Sequence, residues 1–341
     1  YLNTSAPSGV ISYVLNGPIL TPSSNYGGGV SLRDMDGDGK LDIATVVYNS
    51  AAAGIGVMAI YRNTTILGSS SITFASVYTL GTGINPRNTT VADFDGDGRS
   101  DIATAGDNSN SVVVFRNQSV SGTVSFASPQ TFGANSGGSQ GIASADFDKD
   151  GKLDIVVSTN GNNTVSVLQN RSTAGTISFT AGPTLTGLST PFGVAIGDFN
   201  QDGNPDIVAA NAGGNTISFF LNTNSITGTI SFTTTASLTV NTGTNPYDLS
   251  VGDVDGDGKI DVVVGNYTSN TMSVLRNVGV SGGGLSFTNR LNYTNGITNP
   301  WDIAVGDMNN DGRADIVASN SNSTISFFRN LATNMLPPVI S

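Results

Sequence analysis

The sequence predicts an all-β fold, a six-bladed β-propeller of four-stranded blades. Three observations carry this expectation. An Asp-rich nonapeptide returns six times at near-constant spacing, short β-branched runs fill the intervals, and no segment sustains a 3.6-residue period. The nonapeptide reads Asp-x-Asp/Asn-x-Asp-Gly-x-x-Asp. It begins at Asp34, Asp93, Asp146, Asp198, Asp253 and Asp307, with successive spacings of 59, 53, 52, 55 and 54 residues. Period and phase hold from end to end, so residues 1–330 read as one propeller with no linker inside it.

Within a repeat the elements follow in order. A short alternating segment, such as Gly193 to Gly197, leads into the Asp loop. A β-branched run, such as Asp206 to Ala210, leaves it. An Asn/Ser/Gly turn then opens a third run, Thr216 to Asn222, and a fourth, Gly228 to Phe232, completes the unit. Short runs rich in Val, Ile, Thr and Phe, bounded by Gly and Asn, are strands. Four strands in about 50 residues make one propeller blade. One four-stranded sheet cannot bury both of its faces, whereas blades stacked in a ring can.

The last repeat ends near Asn330 without a fourth strand. Near the other end, Ser8-Gly9-Val10-Ile11-Ser12-Tyr13 aligns with Ser121-Gly122-Thr123-Val124-Ser125-Phe126. The expectation is therefore that the N-terminal strand completes the last blade and closes the ring. Residues 331–341, including Met335-Leu336-Pro337-Pro338-Val339-Ile340, are expected to form a linker to a further domain or a strand that docks on a neighbouring subunit. The second option makes a filament or surface polymer a live expectation.

Composition narrows the chemistry. Among 341 residues the net charge is −11, and all 25 acidic residues are Asp; there is no Glu. Using one carboxylate length throughout suggests a geometric demand for a short arm. The acidity argues against nucleic acid, which needs clustered Lys and Arg. With no Cys there are no disulfides or thiol chemistry, and with no His the commonest general base and the usual zinc ligand are missing. No run approaches the roughly 18 apolar residues of a membrane helix. No signal peptide is visible and the chain starts at Tyr1, which reads as a mature or excised fragment.

The loops suit calcium, which takes six to eight oxygens at flexible geometry. Alternate Asp side chains in a tight loop converge on one ion, and the Gly after position 5 permits the turn around it. In the first loop Asp34, Asp36, Asp38 and Asp42 supply carboxylates and Lys40 a main-chain carbonyl. The other five follow the same plan: Asp93, Asp95, Asp97, Arg99 and Asp101; Asp146, Asp148, Asp150, Lys152 and Asp154; Asp198, Asn200, Asp202, Asn204 and Asp206; Asp253, Asp255, Asp257, Lys259 and Asp261; Asp307, Asn309, Asp311, Arg313 and Asp315. Asn200 and Asn309 keep an oxygen but lose a charge, so weaker binding is expected there. An EF-hand would need Glu at position 12, where the first loop has Thr45, and helical flanks. The loops hold 22 of the 25 Asp, and about six Ca²⁺, one per blade, would bring the net charge to about +1.

On these six loops, with the Asp-Ile or Asp-Val strands that follow them, such as Asp101-Ile102 and Asp154-Ile155, the chain resembles the FG-GAP/VCBS repeat family, related to the integrin α-subunit propeller. The resemblance covers roughly residues 8 to 330. It implies a calcium-loaded propeller, an extracellular location, secreted or on the cell surface, and roles in adhesion or in carbohydrate or protein binding. Integrin propellers have seven blades; six loops are present in this sequence.

A second periodic feature lies seven residues before each loop: Pro86, Ser139, Pro191, Pro246 and Pro300, followed by Arg87, Gln140, Phe192, Tyr247 or Trp301, and then by Asn88, Gly141, Gly193, Asp248 or Asp302. These positions enter the innermost strands on the face opposite the Asp loops. Aromatics beside carboxylates suit a sugar or a protein surface, and Arg87, Phe192, Tyr247, Asp248, Trp301 and Asp302 are the candidate ligand residues. The alternative is that the Pro-aromatic pairs only pack the blade junctions. The expected function is a non-enzymatic adhesion or structural module whose partner is a protein, itself included, or a glycan, with no membrane insertion. A carbohydrate-binding lectin is the first alternative, and a secreted hydrolase or lyase the second.

Overall fold

The computed structural model describes residues 2–3, 13–14, 26–48, 56–66, 69, 71–107, 110–134, 137–288 and 290–331. They form an all-β propeller. Two short strands, β1 (Leu2–Asn3) and β2 (Tyr13–Val14), pair with each other. Blade one is β3 (Tyr26–Arg33), β4 (Asp42–Tyr48), β5 (Val57–Tyr61) and β6 (Tyr78–Gly81). Blade two is β7 (Asn85–Ala92), β8 (Asp101–Asp107), β9 (Ser111–Phe115) and β10 (Gln130–Gly133). Blade three is β11 (Ser139–Ala145), β12 (Asp154–Thr159), β13 (Thr164–Asn170) and β14 (Phe179–Leu185). Blade four is β15 (Pro191–Gly197), β16 (Asp206–Asn211), β17 (Thr216–Phe220) and β18 (Leu238–Asn241). Blade five is β19 (Pro246–Gly252), β20 (Asp261–Asn266), β21 (Thr271–Leu275) and β22 (Leu291–Tyr293). Blade six is β23 (Pro300–Gly306), β24 (Asp315–Asn320) and β25 (Ile325–Phe328).

Every sheet is an antiparallel meander in chain order. The only helix among the described residues is a single 3₁₀ turn, Asn160–Asn162, and none is long and apolar enough to cross a membrane. Second strands such as β12, β16 and β20 are buried along their whole length. They read as continuous apolar runs because both faces are covered by neighbouring blades.

The core consists of blade junctions. Five buried clusters each join one blade to the next, from one–two through five–six. The residue at loop position 2 anchors a junction. Phe94, Phe147 and Phe199 are buried and meet Phe179, Phe232 and Phe287 of the following blade edge-on, at ring centroid distances of 5.6, 5.2 and 6.5 Å.

One detail differs from the expected closure. Blade six has three strands among the described residues, and Tyr13 pairs with Asn3 rather than with β25. Ser8 to Ser12 and the tail from 332 to 341 lie outside the described residues.

Candidate metal centres and the opposite mouth

Each Asp loop joins the first strand of a blade to the second. Its last Asp opens the second strand, so the loop is pinned between two sheet elements. The first Asp organises the turn. In loop one Asp34 Oδ1 accepts the Gly37 and Asp38 N–H groups at 2.8 and 3.2 Å, and its Oδ2 accepts Gly39 N–H at 2.7 Å. The Gly at position 6 sits at φ between 82° and 87° in all six loops, a left-handed conformation that glycine alone adopts without cost.

The last Asp does more than the sequence suggested. In blade three Asp154 is fully buried, its Oδ2 accepting Phe147 N–H at 3.0 Å and its Oδ1 accepting Asn170 N–H at 2.8 Å. The same pair of bonds recurs at Asp42, Asp101, Asp206, Asp261 and Asp315. The partner Asn had no role assigned from sequence. Its side chain crosses to the preceding blade: Asn117, Asn170, Asn222 and Asn277 donate through Nδ2 to the carbonyls of Met35, Phe94, Phe147 and Phe199 at 2.8–2.9 Å, and Asn330 donates to Val254 O. The signal was present as an Asn recurring at the end of every third run, but its acceptor lies about 75–80 residues earlier.

Carboxylates at positions 1, 3 and 9 converge in four loops. Asp34, Asp36 and Asp42 place one oxygen each within 4.8 Å of one another, as do Asp93, Asp95 and Asp101, Asp146, Asp148 and Asp154, and Asp253, Asp255 and Asp261. Burial, reinforced by the neighbouring carboxylates, pushes Asp101, Asp154 and Asp206 up to about 7 and Asp261 up to about 6. Buried carboxylates that converge and resist ionising fit a divalent cation, which holds them charged and cancels their repulsion. Calcium bound there would act as a cross-link between the first and second strands.

Position 5 stands slightly apart. Asp38 Oδ1 accepts Lys40 N–H at 3.0 Å, and its Oδ2 pairs with Lys40 Nζ at 3.0 Å. The Lys or Arg at position 7, expected to offer only its main-chain carbonyl, pairs with that carboxylate in loops one, two, five and six. Such half-exposed pairs contribute little. In loops four and six the position-3 Asn donates through Nδ2 to the position-5 carboxylate, Asn200 to Asp202 and Asn309 to Asp311, both at 3.0 Å.

The other ends of the inner strands surround a cavity of about 620 Å³. Arg87, Phe192, Tyr247, Asp248, Trp301 and Asp302 all line it, with Asn88, Gln140, Gly28 and Gly29. A register shift interrupts every first strand here, as between Pro246 and Asp248 and between Pro300 and Asp302. Such a bulge turns side chains out of the ladder, in this case into the mouth. The lining is asymmetric. Blades four to six supply aromatics, with Phe192–Tyr247 centroids at 4.4 Å, Tyr247–Trp301 at 4.8 Å and Trp301–Tyr267 at 5.2 Å. Blades two and three supply Arg87, Asn88 and Gln140. Within the aromatic half, Asp248 of blade five and Asp302 of blade six are hydrogen-bonded to each other. Burial and the Asp302 charge hold the Asp248 carboxyl well above its ordinary range. Asp248 Oδ2 also accepts Ile303 N–H at 3.0 Å. A Cβ on Gly193 would lie 2.8 Å from Asp248 Oδ1, so only glycine admits Asp248 at this point.

The class these features define is a propeller of Asp-loop repeats. Five overlapping matches to the FG-GAP-like repeat model cover residues 34–104, 93–157, 148–209, 198–264 and 253–318, and the chain belongs to that family. No curated protein matches the sequence. Among solved structures, a Lactobacillus plantarum protein is 17% identical over 88% of this chain and 82% of its own, with a TM-score of 0.53. The Pseudomonas aeruginosa periplasmic gluconolactonase PpgL is 17% identical over 86% and 79%, with a TM-score of 0.55. Chaetomium thermophilum Sqt1 is 13% identical over 82% and 64%, with a TM-score of 0.51. At these identities the likeness is one of fold.

Proposed function

We propose that the protein is an extracellular, calcium-stabilised binding module without enzymatic activity, and that its mouth holds a glycan. The observation that carries this reading is the mouth itself, where an aromatic wall from three blades, with the hydrogen-bonded Asp248 and Asp302 beside it, shares one cavity with Arg87, Asn88 and Gln140. Aromatic faces stack on the C–H faces of sugar rings, and a few convergent polar groups fix the hydroxyls. A carboxyl pair that keeps one proton offers both a donor and an acceptor. Adhesion follows if the glycan belongs to a cell or matrix surface.

Non-enzymatic binding is supported by composition. His, Cys and Glu are missing, and 22 of 25 Asp sit in the loops; among the described side chains Asp248 and Asp302 are the carboxylates that line the mouth. The calcium reading rests on the four converging carboxylate triads. A glycan array read in calcium tests the proposal: binding should appear for the wild type and vanish for Trp301→Ala. A blank array, or binding that survives the substitution, would overturn it. Elemental analysis should find about six calcium ions per chain.

A further inference from the structure

The Asp at loop position 3 uses its two oxygens differently. Oδ1 faces its own loop and accepts the position-5 N–H, at Asp36, Asp95, Asp148 and Asp255 over 3.1–3.3 Å. Oδ2 faces the end of the third strand in the same blade. There it meets one position, the residue just before the Asn whose N–H bonds the last Asp. That residue is Arg62, Arg116, Gln169, Leu221, Arg276 and Arg329 in blades one to six. The loop carboxylates recur, and the charge of this neighbour does not.

Four loops carry four Asp each and a basic residue at position 7, so this neighbour is what distinguishes them most. In blade one Arg62 Nε donates to Asp36 Oδ2, and its Nη2 lies 3.4 Å from Asp38 Oδ2. In blade two Arg116 Nη1 lies 3.9 Å from Asp95 Oδ2 and 3.6 Å from Asp97 Oδ2. In blade five Arg276 pairs with Asp255 Oδ2. Blade three puts a neutral amide in the same place: Gln169 Nε2 donates to Asp148 Oδ2, and at 3.0 Å to Gly228 O of the next blade. Among the described residues no ion pair reaches loop three. Lys149 within it is exposed, and Arg171 donates to the far oxygen of the Gln169 amide at 2.7 Å. Asp36, Asp95 and Asp148 are buried, so water screens little of what touches them.

We infer that this third-strand residue sets the affinity of each loop for calcium: the arginines weaken loops one, two and five, and Gln169 leaves loop three as the tight site. The inference rests on the calcium reading of the loops. A guanidinium on one oxygen of a carboxylate stands a few ångströms from an ion on the other. Repulsion of a divalent ion by one charge at that distance is worth about 10-fold in affinity even with the screening of bulk water, and more beside a buried carboxylate. The charge that ligands present is what tunes calcium affinity in Asp-rich loops generally. Loops one, two and five are thus partly neutralised before any ion arrives, whereas loop three keeps its full repulsion until it is filled.

A calcium titration followed by NMR reads the loops one by one through the position-6 glycines, because Gly39, Gly98, Gly151 and Gly258 each donate to the first Asp of their own loop. The Gly151 amide should reach its midpoint at about 10-fold less calcium than those of Gly39 and Gly98. Gln169→Arg should raise the Gly151 midpoint about 10-fold and leave Gly98 in place. Arg116→Gln should lower the Gly98 midpoint by a similar factor, and Arg116→Lys, which keeps the charge, should hold it near the wild-type value. If Arg116→Gln does not fold, the Gln169→Arg arm carries the test. An Arg116→Gln variant whose Gly98 midpoint stays or rises would overturn the inference; a rise would mean that the guanidinium holds Asp95 in place for the ion. One common midpoint for all four loops would also overturn it, while leaving calcium binding intact. No shift at any of these glycines in millimolar calcium would remove the calcium reading and this inference together.

Discussion

The two ends of the propeller obey different rules. At the loop end the same residues return in every blade, down to the hydrogen bonds that Asp42, Asp101, Asp154, Asp206, Asp261 and Asp315 accept. At the mouth, six residues or roughly 20 Å away along each inner strand, the equivalent positions hold Gly28, Arg87, Gln140, Phe192, Tyr247 and Trp301. A metal ion would impose one geometry on every site that bound it, which suits a loop end whose first, fifth and ninth residues are Asp in all six blades. The mouth is one shared cavity, and a single ligand held there would meet a different residue from each blade. Repetition marks the scaffold, and variation at a fixed position of the repeat marks recognition.

The sharpest way to break this comparison is to damage each end and watch the fold. Asp154→Ala removes a fully buried carboxylate and strands the Phe147 and Asn170 N–H groups, and a loss of about 3–5 kcal/mol is expected in urea unfolding with calcium present. Chelation should act in the same direction on the wild type and lower the melting temperature. Trp301→Ala, at a 39% exposed site, should cost about 1 kcal/mol of stability while weakening glycan binding by about 10- to 100-fold in calorimetry. If the mouth variant unfolds the protein as the loop variant does, the division between the two ends fails.

These ends were not equally legible in the sequence. The loops could be read because every ligand lies within nine consecutive residues, and the carboxylate convergence at Asp34, Asp36 and Asp42 follows from local geometry. The asparagine ties could not, because Asn170 reaches Phe94 in the preceding blade, with 75 residues between them. The mouth residues were visible as a periodic position, yet what gathers them is a bulge in each inner strand and closure around an axis. At the N-terminus the likeness of Ser8 to Tyr13 to other repeats is local and says nothing of the partner strand, and Tyr13 in fact pairs with Asn3.

Within the loop end, the two Asn-bearing loops sharpen the argument about charge. Asn200 and Asn309 each donate to the position-5 carboxylate, holding the loop closed with one carboxylate fewer. Asn200→Asp should tighten calcium at loop four several-fold in competition with a chelating dye, because ligand charge sets affinity. Stability at saturating calcium should change little, and an unchanged titration would show that the amide oxygen serves as well as the carboxylate.

The smallest effect expected is a slope. Asp248 has its folded carboxyl raised by burial and by Asp302, so the folded protein holds that proton more tightly than the unfolded chain. Stability from this group is therefore greatest below the unfolded carboxylate range near pH 4 and falls as pH rises toward the folded value. Asp248→Asn keeps the shape and the Ile303 N–H acceptor while removing the titration. The variant should match the wild type at low pH, exceed it at neutral pH and show a flatter melting temperature between them. The same substitution takes away the shared proton on which the mouth's donor depends, so glycan binding should lose its pH dependence over that interval. A variant whose melting curve keeps the wild-type slope would place the titrating group elsewhere and leave the carboxyl pair as packing between blades five and six.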